Sequence, residues 1–350
     1  MQSQPLSKDE FQIKLVPSGR TFQVAPDETI LDAALRQGIG LSYGCRNGAC
    51  GSCKSKIVEG HVDYGAHQAR TLLPEEKEAG KILLCCAKPL SGLTLEAHEI
   101  GGSSDIRIRT LPCRIEKIEK PAADVAILLL KLPAQERLQF LAGQYIDILL
   151  KEGKRRSFSI ANAPHNDQHI ELHIRAVPGG LFSKYIFEEM RERAILRFEG
   201  PFGSFFLREE SDKPLILMAG GTGFAPIKAL IEDAFFKHID REMVLYWGVR
   251  SLQDLYMPHL PAQWSREHPN FTFIPVLSDP KSGDNWQGRT GMVHQAILDD
   301  FSDLSGYQVY ACGAPIMIEV GQQAFALRGL LQDEFFADSF VYAAPAASRN

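Results

Sequence analysis

Four cysteines constrain this chain more than any other feature. Cys45, Cys50 and Cys53 follow the spacing C-x4-C-x2-C, and 31 residues separate Cys53 from Cys85. Three thiolates from one tight loop, joined by a fourth from a separate segment, form the ligand pattern of a [2Fe–2S] centre. The loop reads Gly44-Cys45-Arg46-Asn47-Gly48-Ala49-Cys50-Gly51-Ser52-Cys53. Its glycines let the backbone fold closely around an anionic group and point N–H groups at sulfur, which tunes the potential. Structural zinc normally shows two C-x2-C pairs or added histidines, and here there is one pair. Cys85 and Cys86 are neighbours, and strand alternation would send them to opposite sides. Cys85 is assigned as the fourth ligand, giving the set Cys45, Cys50, Cys53 and Cys85.

The rest of the composition limits what such a centre can serve. With 350 residues, two or three domains are expected. The net charge of −5 argues against a surface built to neutralise nucleic-acid phosphates. No apolar run approaches the ~18 residues of a membrane span. The first ten residues, MQSQPLSKDE, lack a basic start followed by an apolar core. The expectation is therefore a cytoplasmic, reducing setting, where cysteines serve metal or redox chemistry more often than disulfides.

Three textures follow one another along the chain. Gln12–Val16 and Thr21–Val24 read as strands around a Pro17-Ser18-Gly19 turn, and Asp27 is expected to cap a helix stopped by Gly38. That is a small α+β module. Gly101-Gly102-Ser103-Ser104-Asp105 reads as a linker. Short β-rich runs follow (126–132, 144–150, 156–160, 170–176, 195–199), suited to an antiparallel barrel. From Pro214, strand-like runs at 215–219, 243–246, 271–276 and 308–311 alternate with helical stretches at 227–238 and 293–298, which implies a parallel sheet.

Two glycine turns carry further chemistry. Gly179-Gly180-Leu181-Phe182-Ser183 reads as a turn opening a helix, where free N–H groups can hold a pyrophosphate; Arg156-Ser157-Phe158-Ser159 lies about twenty residues before it. Gly220-Gly221-Thr222-Gly223 follows a strand and precedes a helix, with Pro226 inside the first helical turn. This is not the G-x-G-x-x-G fingerprint, and a lone glycine turn is often structural. Tyr246-Trp247-Gly248-Val249-Arg250 and Cys312-Gly313-Ala314-Pro315, each after a strand, raise its weight.

On the stretches LLCCAKP (83–89), LAGQYIDILL (141–150), RRSFSIANAP (155–164), YACGAP (310–315) and FFADSFV (335–341), the chain resembles the ferredoxin–NADP reductase superfamily. Within it, the similarity is to members fused to an N-terminal plant-type ferredoxin module: reductases of 3,6-dideoxyhexose biosynthesis and reductase components of oxygenases. The resemblance covers nearly the whole chain. It implies an α+β β-grasp ferredoxin domain over 9–102, an antiparallel β-barrel FAD domain over 105–208, and an α/β parallel-sheet nicotinamide domain over 209–345. It also implies a [2Fe–2S] cluster, FAD, and NADH or NADPH.

By the same resemblance Arg156 contacts the FAD pyrophosphate, Phe158 stacks on the flavin, and Ser159 bonds near its reactive nitrogen. The family often has tyrosine where this chain has Phe158, which keeps the stacking face without the phenol oxygen. Ser157, His173 and Arg175 join the cofactor set, with a surface or packing role as the alternative for His173. Gly180, Leu181 and Ser183 hold the pyrophosphate. Gly221, Thr222, Gly223, Pro226, Arg250, Cys312 and Gly313 line the nicotinamide dinucleotide site. Ser159 and Cys312 are the residues assigned to hydride transfer. Arg250 suits a 2′-phosphate and Asp254 a ribose hydroxyl, and the balance is read toward NADH. Phe335, Phe336 and Phe340 either cover the flavin or close the domain. Cys113 is read as packed.

The implied activity is an electron-transfer oxidoreductase. Its partner is a pyridoxamine-phosphate-dependent dehydrase or an oxygenase component, with no nucleic acid and no membrane span. A redox sensor or carrier without nicotinamide turnover is the alternative from another class, and the intact glycine and CGAP motifs argue against it.

Overall fold

The computed structural model describes residues 10–97, 99–100 and 106–341. The linker read at 101–105 lies outside the described residues. The chain divides into two compact units, one up to Arg107 and one from Ile108.

The first unit holds strands β1 (Phe11–Val16) and β2 (Thr21–Val24), helix α1 (Ile30–Arg36), strands β3 (Lys54–Glu59) and β4 (Val62–Asp63), and helix α2 (Pro74–Glu78). Strands β5 (Lys81–Leu83), β6 (Lys88–Pro89) and β7 (Leu93–Glu96) complete it. The main sheet runs β2-β1-β7-β3-β5, with only β1 and β7 parallel. Alternation puts Ile13 and Leu15 of β1 wholly inside, where Ile30 and Leu31 of α1 are also fully buried. The helix is capped by Thr29, whose Oγ1 accepts from Asp32 N at 3.2 Å. Asp27 was expected there; Thr29 is the residue that adopts the extended cap conformation directly before Ile30. The amides of Ile30 and Leu31 donate to Ala87 O and Leu84 O, so the start of α1 is tied to the segment carrying Cys85.

The second unit begins with β8 (Arg109–Ala122), β9 (Val125–Lys131), β10 (Tyr145–Leu149), β11 (Arg155–Ser159), β12 (Ile170–Arg175), helix α3 (Leu181–Lys184) and β13 (Ile195–Phe202). These six strands pair in the order β11-β10-β13-β8-β9-β12. An Ile160–Leu172 bridge joins β11 to β12 and closes the barrel. Inward residues such as Ile115, Leu130, Ile146, Ile148 and Phe198 fill it.

The same unit continues with β14 (Leu215–Gly220), α4 (Phe224–Phe236), β15 (Met243–Val249), α5 (His259–Glu267), β16 (Phe271–Leu277), β17 (Arg289–Thr290) and α6 (Val293–Asp300). Strand β18 (Gln308–Gly313), helix α7 (Pro315–Ala326) and strand β19 (Phe335–Ser339) end it. The strands form one parallel sheet, β17-β16-β15-β14-β18-β19, with apolar clusters on both faces. Burial on both faces explains why Leu215–Ala219 reads as an unbroken apolar run. The order reverses between β14 and β18, the switch point at which such sheets bind ligands. No helix among the described residues is long and apolar enough to cross a membrane.

Candidate functional site

The cysteine loop turns tightly between α1 and β3. Among the described residues, no three thiol, imidazole or carboxylate groups converge as ligands of a single ion. The thiols pair instead. Cys53 Sγ lies 3.3 Å from Cys85 Sγ, and Cys45 is hydrogen-bonded to Cys50. In each pair the bond from the partner lowers one thiol, Cys45 or Cys85, and raises the other, Cys50 or Cys53. Two pairs fit two irons, whereas one zinc would need all four thiolates around a single point. Ala49 N donates to Cys45 Sγ and Cys45 N to Cys50 Sγ, both at 3.4 Å, the amide–sulfur bonds expected around an anionic cluster. Gly48 sits at φ +71°, and a Cβ there would come within 2.7 Å of Cys86 Sγ. Cys86 is thus packed against the back of the loop, 3.6 Å from Cys85 Sγ.

On the barrel, β11 carries Arg156 and Phe158 on one face and Arg155, Ser157 and Ser159 on the other. Phe158 packs 5.7 Å from the ring of Phe182 in α3, which brings β11 and the Gly180–Ser183 turn together. Ser183 Oγ accepts from Val177 N at 3.2 Å and lies 3.0 Å from Gly180 O, so it closes that turn internally. Leu181 projects outward, 68% exposed. Arg156 is half-buried, with Nη1 on Arg155 O. Ser157 Oγ donates to the buried Asp147 at 2.6 Å, which directs it into the strand pairing. A flavin in this barrel would therefore meet Arg156, Phe158 and the backbone of the Gly180 turn.

Ser159 points to the parallel sheet. Its Oγ donates to Asp338 Oδ2 at 2.9 Å, and Cys312 Sγ stands 3.9 Å from the same oxygen. Burial first, and then Asp338, push the Cys312 thiol well up, so it stays protonated and faces the carboxylate as a weak donor. Asp338 lies on β19 opposite Cys312 in the pairing with β18. Sequence reasoning missed it. The available signal was an acid in the middle of the apolar strand FFADS, beside the CGAP strand.

The nicotinamide turn is a short 3-10 turn, Gly221–Gly223, running straight into α4. Thr222 and Gly223 are buried, and so is Pro226 in the first turn of the helix. A Cβ on Gly223 would lie 2.1 Å from Cys312 O, so only glycine lets the turn after β14 rest on the end of β18. Gly313 lies against Gly220 on the same seam. Arg250, at the end of β15, is 79% exposed and pairs with Asp279 at 3.6 Å.

His173 is placed differently from its expected role. Its side chain is 0% exposed, with Nε2 2.7 Å from Glu171 Oε1 and Nδ1 2.8 Å from the Tyr256 hydroxyl. Both ring nitrogens are engaged within the protein, which leaves none for a cofactor. Arg175, two residues on, donates from Nε to Asp124 Oδ2 at 2.7 Å and lies over Gly221. Phe335 and Phe336 pack into the two faces of the parallel sheet, Phe336 stacked on Tyr310 at 4.7 Å, so they close that lobe. Cys113 is buried in the barrel core, as expected of a packed residue.

Comparison with known proteins agrees with this three-part layout. A 2Fe-2S iron-sulfur cluster binding domain matches residues 13–90, an oxidoreductase FAD-binding domain 112–207 and an oxidoreductase NAD-binding domain 217–323. The CDP-6-deoxy-L-threo-D-glycero-4-hexulose-3-dehydrase reductase of Yersinia pseudotuberculosis is 44% identical, over 94% of this chain and 98% of its own. The phenol hydroxylase P5 protein of Acinetobacter pittii is 36% identical over 97% of this chain and 96% of its own. Among solved structures, the Amycolatopsis reductase GcoB matches with a TM-score of 0.79 and 34% identity, over 94% of this chain and 98% of that one. The paired thiols, the barrel and the switch-point glycine turn thus sit in a chain that belongs to the ferredoxin-fused, NAD(P)H-dependent [2Fe–2S] flavoprotein reductases.

Proposed function

We propose that this reductase delivers its electrons to a pyridoxamine-phosphate-dependent dehydrase acting on a nucleotide-linked deoxyhexulose. The observation that carries this reading is the 44% identity to a dehydrase reductase across nearly the full length of both chains. A phenol hydroxylase protein matches at 36% and a terephthalate 1,2-dioxygenase reductase component at 34%, which makes an oxygenase the second reading. The segments 9–102, 105–208 and 209–345 are its working domains.

FAD, when bound, would supply the conversion between a two-electron hydride donor and a [2Fe–2S] centre that takes one electron at a time. The chain's own residues prepare that exchange. Cys45, Cys50, Cys53 and Cys85 would supply the four cluster thiolates, which the fold holds in two pairs. Arg156 offers a cation to the flavin pyrophosphate, Phe158 an aromatic face, and Gly180, Leu181 and Ser183 the turn beneath it. Gly221, Thr222, Gly223, Pro226 and Gly313 would let backbone approach the dinucleotide, and Arg175 and Arg250 would offer it cations. Ser159, Cys312 and Asp338 meet where the barrel joins the parallel sheet, and Ser159 holds its hydroxyl proton toward Asp338. These residues would orient a flavin and a nicotinamide brought together at that junction.

Anaerobic NADH titration of the purified protein tests the shared chemistry: flavin and cluster should bleach in sequence. Adding the purified dehydrase with its sugar substrate, or an oxygenase component, should then reoxidise the reductase. Reoxidation by the oxygenase alone would replace the first reading with the second.

A further inference from the structure

Strand β12 carries Glu171, His173 and Arg175 at alternate positions, so their side chains leave the same face of the barrel. All three meet the nicotinamide lobe. Lys228 of α4, itself 7% exposed, reaches Glu171 Oε2 at 3.4 Å, pairs with Glu232 at 3.0 Å and donates to Ala161 O at 3.1 Å. His173 bridges Glu171 and Tyr256 at 2.7 and 2.8 Å. An ionised carboxylate only accepts, so Nε2 carries the proton, and the neutral ring's Nδ1 accepts the Tyr256 hydroxyl.

The chain of contacts continues to the glycine turn. The Tyr256 ring stands edge-on to Trp247 at 5.1 Å, and Trp247 Nε1 donates to Gly221 O at 2.9 Å. Arg175 reaches the same residue from the other side, with Nη1 2.7 Å from where a Cβ of Gly221 would be. One barrel strand therefore touches the Gly221–Gly223 turn by two routes. The middle of the longer route, His173, Tyr256 and Trp247, is buried, where an unpaired member is costly and the geometry is sharply defined.

We propose that Glu171 and His173 are positioning residues for hydride transfer. With Tyr256 and Lys228 they seat the nicotinamide lobe on the flavin barrel and thereby set the glycine turn against the flavin. The proposal rests on the reading of this chain as a nicotinamide-dependent flavin reductase. It assigns to His173 a role in neither cofactor contact nor simple core filling.

The test uses the full-length, cofactor-loaded protein and the variants Tyr256→Phe, His173→Gln and Glu171→Gln. Tyr256→Phe removes one hydroxyl and keeps the packed ring, so it remains informative if the other two fold poorly. Amide hydrogen exchange at 220–224 should quicken in Tyr256→Phe, with FAD content and flavin midpoint potential unchanged. Flavin reduction at saturating NADH should slow by about tenfold, with KM for NADH within about twofold, as expected of a misplaced but still bound reactant. Glu171→Gln keeps an acceptor for Nε2 and should recover part of the rate relative to Glu171→Leu. Parent-like exchange at 220–224 together with parent-like flavin reduction in Tyr256→Phe and His173→Gln would overturn the proposal, whatever the change in Tm. If NADH fails to reduce the parent, the functional reading falls, and the exchange measurement alone still decides whether this strip sets the turn.

Discussion

Ser159 donates its hydroxyl proton to Asp338 at 2.9 Å, although 179 positions separate them in the chain. One residue ends the second strand of the barrel hairpin β10–β11, and the other lies in the last strand of the parallel sheet. Only the docking of two lobes brings them together. Cys312 shares the carboxylate at 3.9 Å.

The first prediction concerns that trio. Asp338→Ala removes the acceptor that holds the Ser159 hydroxyl. Flavin reduction by NADH should slow by about 10²-fold, the lower range for a positioned proton-holding group. Cys312→Ala should slow it less, since the thiol is protonated and only weakly bonded. FAD content should stay at the parent level in both. Stopped-flow absorbance with single-turnover NADH measures each rate, and parent-like traces for Asp338→Ala would remove the trio from the reaction.

Acid should loosen the protein through His173. Burial lowers the folded pKa of this ring below its ordinary 6.5, against the pull of Glu171, while Lys228 adds to the lowering. Glu171, Lys228 and Glu232 and the hydroxyl of Tyr256 are the titratable groups around it. Below pH 6.5 the unfolded ring binds a proton that the folded ring refuses, so the unfolded state gains stability as pH falls. Glu171 acts in the same sense lower down. Burial raises it, but His173 and Lys228 hold it at about 2, so its stabilisation is present above 4.5 and lost as pH falls toward 2. The Tm of the parent should drop from pH 7 to pH 5.5, and that drop should be shallower in His173→Gln. Equal slopes in thermal melts would contradict the assignment.

Nucleotide choice should favour NADH. Asp254, the carboxylate singled out from the sequence, is taken by Ser251, whose N and Oγ both donate to Oδ2 at 2.9 Å. The acid facing Arg250 is Asp279, at 3.6 Å across the ends of β15 and β16. A 2′-phosphate at the end of the second strand would have to draw Arg250 away from it. Because both groups are largely exposed, the pair is worth under about 1 kcal/mol, so Asp279→Asn should raise the NADPH/NADH ratio of kcat/KM by only about two- to fivefold. An unchanged ratio would show that Asp279 takes no part.

Loss of the visible cluster spectrum should separate the adjacent cysteines. Cys85→Ser removes a thiol that pairs with Cys53 at 3.3 Å, and iron content should fall with the absorbance. Cys86→Ser changes a thiol packed behind Gly48, and the spectrum should persist. The reverse result would transfer the ligand role to Cys86.

The chemistry-bearing loops were legible because each compresses its signal into a few neighbouring residues. The C-x4-C-x2-C spacing, the Gly180 turn and the Gly220–Gly223 turn all announce themselves locally. Asp338 did not, because its meaning depends on a partner in another lobe. His173, which reads from the sequence both as a cofactor contact and as a surface or packing residue, is hard to place for a related reason: it leaves the outer face of its barrel strand, and its partner Tyr256 lies in another lobe. Strand β8, on which Cys113 lies, could not be bounded from the sequence because Lys117, Glu119 and Lys120 and two prolines, Pro112 and Pro121, mask its alternation. Helix α7 opens with Pro315, the last residue of the CGAP stretch, where the proline reads equally well as the end of a loop.

The barrel's closing seam carries a consequence of its own. Strands β11 and β12 meet through the single Ile160–Leu172 bridge, far fewer backbone bonds than any other neighbouring pair in that sheet. Yet each of the two strands grips the neighbouring lobe, β11 through Ser159 and β12 through Glu171 and His173. The parallel sheet therefore works as a clasp across the one join the barrel zips poorly by itself. A barrel cut free at Leu207 is expected to breathe along that line first.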